Sequence, residues 1–417
     1  MAKVLVIGSG GREHALCRQF LLSPQVTQVY CAPGNAGMVA DGIQLVAATA
    51  FAALANFVQQ QQIDLTFVGP EMPLQQGIVD YFQTRHLLIF GPTQAAAELE
   101  SSKSFAKALL QEQGIATATY QEFTDYTAAW TYLQQQALPQ VIKANGLAAG
   151  KGVTIVKSLA QGQTVLQDLL QQHQFKTTSV IIEEFLVGEE FSCMAFVAGD
   201  QIVPLPLAQD HKAVGAGDTG ANTGGMGAYS PLPQMPADLA QQAFDQVLRP
   251  TVTGMQQRQR AFNGILYAGL ILTTSGIKVI EFNMRFGDPE TQVVLPQLTS
   301  DFYQLLLDML AGKKVQPTWQ TPRLTLGVVV AAAGYPGAYQ QGLPLPDLTH
   351  LPADLTVYYA GVAVKEQHLV SAGGRVFLVA TQAADVRTAQ QKIYAALDQL
   401  PLADFNYRHD IGWHALG

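Results

Sequence analysis

Glu281 and Asn283 stand two apart in Val279-Ile-Glu-Phe-Asn-Met-Arg-Phe-Gly-Asp-Pro-Glu290. On a strand, residues at that spacing share a face, so a carboxylate and an amide oxygen point the same way. These are hard oxygen donors of the kind magnesium accepts while it also holds substrate phosphates. Arg285 continues that face, placed to fork onto a carboxylate or phosphate; a cross-strand salt-bridge ladder is the competing reading. Lys143 and Lys151 flank a glycine-rich run, Val141-Ile-Lys-Ala-Asn-Gly-Leu-Ala-Ala-Gly-Lys-Gly152. It misses the Walker pattern, because its first glycine falls one residue late and Gly152 stands where Ser or Thr would meet magnesium. A strand ending in one lysine, then a mobile loop carrying another, suits the gripping and covering of nucleotide phosphates. A flexible hairpin without a ligand is the alternative.

An apolar strand at Val180 to Glu184 runs into four carboxylates, Glu183, Glu184, Glu189 and Glu190. It reads either as a solvated turn or as a segment whose backbone meets an adenine edge, with Glu190 accepting from ribose hydroxyls. Gly8-Ser-Gly-Gly-Arg-Glu13 ends the first strand and opens a helix, where backbone N–H groups and the helix dipole can hold an anion. A dinucleotide fingerprint would need glycine at position 13, so Glu13 argues against a nicotinamide cofactor. Pro33-Gly34-Asn35 and Gly69-Pro70-Glu71 follow two further strands, and ligands of parallel sheets lie off such carboxyl ends. Gln209-Asp-His-Lys212 leads into a glycine-dense polar stretch, Gly217 to Pro231, which reads as a long functional loop. His211 has no Ser, Cys or second His nearby in sequence, so it reads as a hydrogen-bonding residue rather than a base or zinc ligand.

Among the elements that must position these residues, Val4–Ile7, Val29–Cys31, Ile43–Val46, Ile63–Val68 and Leu87–Phe90 alternate with helical stretches. This is the rhythm of βαβ units around a parallel sheet. Residues 117 to 188 read as a compact α+β insertion with a helix near Leu159 to His173. A helix at Ala237 to Gln259 precedes a strand pair, Leu266–Thr273 and Lys278–Phe282. After Pro317 and Pro322 come strands at Leu324–Ala332, Val357–Ala360 and Val376–Thr381, then a closing helix at Ala383 to Leu400. The expected fold class is therefore α/β and α+β, multidomain.

The 417 residues carry 13% charged side chains, against roughly a quarter in ordinary soluble proteins. The 46 glutamines fill that place, many on helix faces. A net charge of −8 supplies no basic stripe for a phosphate backbone, which argues against nucleic acid as a partner. Cys17, Cys31 and Cys193 show no CxxC spacing, so free thiols in a reducing compartment are expected rather than disulfides or structural zinc. No signal-peptide core and no apolar run of bilayer length is found, and a cytoplasmic protein without a membrane partner is expected.

Taken together, these segments resemble the ATP-grasp carboxylate–amine ligases, and among them the glycinamide ribonucleotide synthetases. The matching pieces include Gly8 to Ala15, Glu98 to Lys103, Lys143 to Val153, Glu183 to Ser192, Asn222 to Pro231, Glu281 to Gln292, Gly373 to Val376 and Arg408 to Gly412. The resemblance implies an N-terminal Rossmann-like substrate domain at 1–100 and an ATP-grasp core at 101–320 with a mobile flap near 117–188. A small β-rich domain at 321–417 completes it. It implies that Lys103, Lys143 and Lys151 face ATP phosphates, that Glu183, Glu184, Phe185 and Leu186 form the adenine hinge, and that Glu190 takes the ribose. Glu281 and Asn283 would bind Mg2+ or Mn2+, and Arg285 and Lys151 would be catalytic. Gly10, Gly11, Arg12, Glu13, Pro33, Gly34, Asn35, Glu71, Asp210, Lys212, Asn222, Thr223, Arg285, Gly287 and Asp288 would contact phosphoribosylamine or glycine. The implied partners are these small molecules and ATP alone, on a monomer. Two departures appear: the family pattern continues Gln-Asp-His-Lys with arginine where this chain has Ala213, and His414 replaces a common arginine. The rival functions are another ATP-grasp ligase or carboxylase with a different carboxylate and, more distantly, a nicotinamide-dependent oxidoreductase.

Overall fold

A computed structural model describes residues 1–146, 152–320 and 323–416. Five parallel strands open the chain, in the spatial order Gln44–Leu45, Val26–Pro33, Ala2–Gly8, Leu65–Val68 and Ile89–Phe90. Val4, Leu5 and Val6 are fully buried, as expected when helices cover both faces of a parallel sheet. At the carboxyl ends the loops are tied to the sheet and to each other: Gly34 N donates to Gly8 O and Gly69 N to Ile7 O.

Two antiparallel sheets form the centre. One orders Tyr120–Phe123, Val180–Glu184, Gln140–Ala144 and Val153–Val156, with helices Tyr126–Gln134 and Leu159–Leu170 packed through Ala129, Leu133, Leu166 and Leu169. The other orders Gln201–Pro204, Glu189–Ala198, Asn263–Thr273 and Gly276–Asn283. Along Glu189–Ala198, Phe191, Cys193, Ala195 and Val197 enter one core while Met194 and Phe196 enter another. From Cys193 to Ala198 the strand is an unbroken apolar run because both of its faces are buried.

The third large sheet orders Gln209–Asp210, Gly227–Ser230, Leu324–Ala332, Arg375–Ala383 and Leu355–Tyr359, with Phe405–Asn406 also paired to Leu324–Ala332. Its first two strands come from the segment expected as an irregular loop. Between them Ala213–Gly215 and Thr219–Asn222 form a small hairpin, so the glycine-dense stretch is partly ladder, which its lack of apolar alternation hid. The helix expected over Ala237 to Gln259 is divided by a π turn at Phe244–Leu248, just ahead of Pro250. Proline lacks the N–H that a regular α-turn would use there. Among the described residues no helix is long and apolar enough to cross a membrane.

Candidate active site

Lys103 begins helix Lys103–Glu112, capped by Ser102, and Asn145 anchors that helix start to the base of the glycine-rich run. Asn145 Oδ1 accepts from Lys103 N at 2.9 Å, and its Nδ2 donates to Ser104 Oγ at 2.8 Å and Ser179 Oγ at 3.0 Å. Lys103 Nζ donates to Gly146 O at 2.9 Å. Lys143, buried on its strand, donates to Ile280 O at 3.1 Å and pairs with Glu183. Lys151 falls outside the described residues.

These groups line one end of a cavity of about 570 Å3. Val141, Ile155, Ile181 and Val279 give that end apolar walls, and Phe185 and Leu186 lie at its edge. Strand pairing stops at Glu184, whose N–H donates to Thr119 O. The backbone groups of Phe185 and Leu186 have no hydrogen-bond partner among the described residues. The Glu183 side chain does not face this edge: it is buried and turned onto two lysines. Glu190 is half-exposed and accepts from Lys212 Nζ at 3.1 Å.

Glu281 and Asn283 share a face, as their spacing predicts, and both line the cavity. Asn283 Oδ1 accepts from Arg285 at 2.9 Å, whereas the Glu281 carboxylate has no hydrogen-bond or ion-pair partner among the described residues. Burial pushes the Glu281 carboxyl up, but Lys212, Lys143, Lys103 and Arg285 together hold it below its ordinary value. Arg285 is not free to swing: it lies 3.4 Å from Glu71 and 3.3 Å from Glu100 and also donates to Phe286 O.

At the far end, Glu290 Oε1 accepts from Tyr267 OH at 2.6 Å and Ser192 Oγ at 2.9 Å. Asp210 Oδ1 is buried without a partner among the described residues, and burial together with Glu290 raises its carboxyl well above the usual range. Arg375, from the C-terminal sheet, donates to Gly224 O at 2.5 Å, Asp288 O at 2.7 Å and Asp288 Oδ2 at 2.8 Å. It thereby clamps the Asn222–Gly225 segment to the Gly287–Glu290 turn.

The residues expected to contact substrate divide in two. Arg12, Glu71, Asp210, Lys212, Asn222, Thr223, Arg285 and Asp288 line the cavity. Gly10, Gly11, Glu13, Pro33, Gly34, Asn35 and Gly287 stand behind them. The expected anion cradle at Gly8 to Glu13 needs correction: Glu13 Oε2 itself accepts from Ser9 N at 3.2 Å and Gly10 N at 2.6 Å. Those two donors are spent inside the loop, and the Arg12 side chain is the part that reaches the cavity. Asn35 is likewise consumed, donating to Ser9 O and Tyr359 O and accepting from Gly37 N.

Lys107, Tyr267 and Tyr335 line the cavity without having been picked out from the sequence, and so do Glu100 and Arg375, which lie in matched segments but were given no role there. Lys107 follows Lys103 by one helical turn, a spacing that signals a shared face. Tyr267 lies inside an apolar strand run, where nothing local marks it. All three cysteines are buried and free, and no cluster of three or more His, Cys, Asp or Glu side chains is arranged for a metal among the described residues.

Family descriptions for the N domain, the ATP-grasp (A) domain and the C domain of phosphoribosylglycinamide synthetase match residues 2–100, 101–291 and 325–414. The chain is 51% identical over 417 residues to the phosphoribosylamine–glycine ligase of Lactococcus lactis subsp. lactis, covering 99% of this chain and 100% of that protein. It superposes on the crystal structure of the corresponding Thermotoga maritima ligase with a TM-score of 0.85 at 31% identity, covering 99% of this chain and 100% of that one. A biotin carboxylase from Campylobacter jejuni, solved as a complex with an ATP species, shares the fold at a TM-score of 0.76 and 12% identity, over 99% of this chain and 94% of that one.

Proposed function

The chain belongs to the phosphoribosylglycinamide synthetase family and ligates glycine to 5-phosphoribosylamine at the expense of ATP, and on that premise we propose how its residues divide the work. The observation that carries the proposal is a cavity that gathers these groups. Among the described residues it has partnerless backbone at one edge, a partnerless carboxylate in the middle and, at the far end, an Asp210 oxygen buried without a hydrogen bond.

The adenine edge meets the backbone of Glu184 to Leu186, and Glu190 takes the ribose hydroxyls. Lys103 and Lys143 face the phosphates; Lys151 joins them on the strength of the family resemblance. Glu281 and Asn283 would hold Mg2+ or Mn2+. Their oxygens suit such a cation, which would need further oxygen donors besides this pair. When bound, that cation supplies Lewis-acid neutralisation of phosphate charge. The lining side chains themselves comprise seven basic and nine acidic groups, an unwelcoming balance for a bare polyphosphate.

Glycine binds beside Arg285 with its ammonium toward Asp210 and Glu290. An arriving cation favours the ionised form of a carboxyl whose pKa burial and the neighbouring Glu290 raise. A glycine carboxylate cannot be attacked directly by an amine, because oxide would have to leave. Its oxygen therefore takes the γ-phosphoryl group of ATP, ADP departs, and glycyl phosphate forms. The amine of phosphoribosylamine, positioned near Arg12 and Asp288, attacks the carbonyl carbon; the C–O bond to phosphate breaks and an amide remains. Lys143 and Lys103 stabilise the charge of the transferring group, and a closed cavity keeps water from the acyl phosphate.

The three-domain division at 1–100, 101–320 and 321–417, a flap at about 117–188 and a monomer in the cytoplasm complete this reading. The deciding experiment measures phosphate release from ATP with glycine alone, with fresh phosphoribosylamine alone, and with both. Release only with both substrates is expected; equal release with a different carboxylate in place of glycine would overturn the assignment of the far end.

A further inference from the structure

Lys107 has no role in the scheme above, yet its side chain is 5% exposed and lines the nucleotide end of the cavity. Its ammonium donates to Thr117 Oγ1 at 2.9 Å and lies over the Tyr120 ring, 4.9 Å from the centroid. It also sits 2.6 Å from Glu183 Oε2, off the line of an ideal hydrogen bond. Lys143 contacts the other oxygen, Oε1, of the same carboxylate. Two buried ammonium groups thus share one buried carboxylate.

The charges of this trio do not cancel. A buried one-to-one pair of Lys143 with Glu183 would be neutral and closed on itself. An arriving phosphate would then compete with Glu183 for the lysine, where desolvation makes that pair strong. A second ammonium on the carboxylate leaves the trio with one uncancelled positive charge. Lys143 donates to Ile280 O and contacts Glu183, so one of its three N–H donors is uncommitted among the described residues. Lys107 cannot take that place itself, because Thr117, Tyr120 and Glu183 already surround its ammonium.

We propose that Lys107 is a positioning residue of the phosphate site: by sharing the Glu183 carboxylate it leaves Lys143 a net positive charge to offer the phosphates of ATP. This rests on the reading that Lys143 faces those phosphates, and the experiment separates the two. Affinities for ATP and for AMP are measured by calorimetry in the presence of Mg2+, alongside steady-state kinetics, for Lys107→Met, Lys107→Arg, Glu183→Gln, the double variant Lys107→Met/Glu183→Gln, and Lys143→Met.

Lys107→Met should weaken ATP about tenfold and AMP far less, because the effect acts on the terminal phosphates. Lys107→Arg keeps the charge and should stay near wild type. The double variant restores the wild-type charge count and should recover most of the ATP affinity lost in Lys107→Met. A double variant at least as weak as the sum of the single losses would overturn the proposal, as would ATP and AMP falling equally. If Lys143→Met leaves ATP affinity unchanged, the phosphate reading of Lys143 fails. If it weakens ATP while Lys107→Met does not, only the present inference fails. Should Lys107→Met fold too poorly to assay, the double variant and Lys107→Arg carry the test alone: wild-type-like ATP affinity in both supports the proposal, and a tenfold loss in the double overturns it.

Discussion

At the scale of single residues, the cavity is legible through the few groups that lack a partner among the described residues. Glu281 is the clearest, since four cations hold its carboxylate ionised without any of them binding it. Glu281→Gln keeps the shape and removes the charge, so turnover should fall roughly 100-fold or more, as Lewis-acid stabilisation worth several kcal/mol is lost. The melting temperature should hardly move. Wild-type turnover at ordinary Mg2+ would sink the metal assignment. His211 carries a different prediction. Its Nε2 accepts from Gly412 N, and burial, with Arg408 nearby, lowers its pKa from 6.5 to about 4. Between those values the unfolded chain binds the proton and the folded one does not, so stability falls as pH drops from 6.5 and the loss is complete below 4. The full loss is about 3 kcal/mol. His211→Gln can keep an acceptor near Gly412 N, and urea denaturation across this window should show a shallower pH dependence. His14, also lowered by burial, remains to give part of the slope. An unchanged slope would show that His211 does not contribute.

At the scale of elements, the loops at the carboxyl ends of the parallel strands act as one braced unit. Glu13 ties its own turn together through Ser9 N and Gly10 N, and Gly69 on the neighbouring loop leaves room for it. A Cβ at position 69 would come within 2.2 Å of Glu13 Oε1 and 2.7 Å of its Cδ. Gly69→Ala must therefore push the buried carboxylate off at least one N–H, at a cost of roughly 1–3 kcal/mol for the orphaned donor. The Michaelis constant for phosphoribosylamine should rise while that for ATP stays put, because the nucleotide end rests on other elements. Equal effects on both substrates would show that the loops do not act separately. The sequence marked this region correctly as glycine turns after strands. What it hid was which anion fills the turn, since position 13 reads equally as a ligand and as a cap. Lys107 was hidden for a related reason. A lysine on an amphipathic helix is ordinarily solvated, and only the packing of Thr117, Tyr120 and Glu183 against that helix buries it.

At the scale of the whole molecule, the site is assembled from both ends of the chain, and this was the least legible part. Low charge density helped within the motifs: in a chain only 13% charged, the carboxylates and lysines around Lys143 and Glu281 stand out against glutamine. Contacts between positions 35 and 359 have no local signature. Leu355–Tyr359 is the edge strand of the C-terminal sheet, and at Tyr359 its free edge groups are taken by His14 and Asn35 of the N-terminal unit. Tyr359 N donates to His14 Nδ1 at 2.9 Å, and His14 Nε2 then carries the proton given to Asp41 at 2.7 Å. Tyr359 O accepts from Asn35 Nδ2 at 3.0 Å. Behind them Ala15 packs with Val329, Tyr358, Leu378 and Ala380. An interface of this kind makes the N-terminal and C-terminal units unfold together, so the wild type should show one calorimetric transition for both. Asn35→Ala strands Ser9 O, Tyr359 O and Gly37 N, each an orphan costing roughly 1–3 kcal/mol where water cannot reach. The variant should lower the melting temperature, bring forward a separate early transition of the N-terminal unit, and raise the Michaelis constant for phosphoribosylamine without changing ATP affinity. A single unshifted transition would mean that the apolar patch around Ala15 holds the two units together without this polar network.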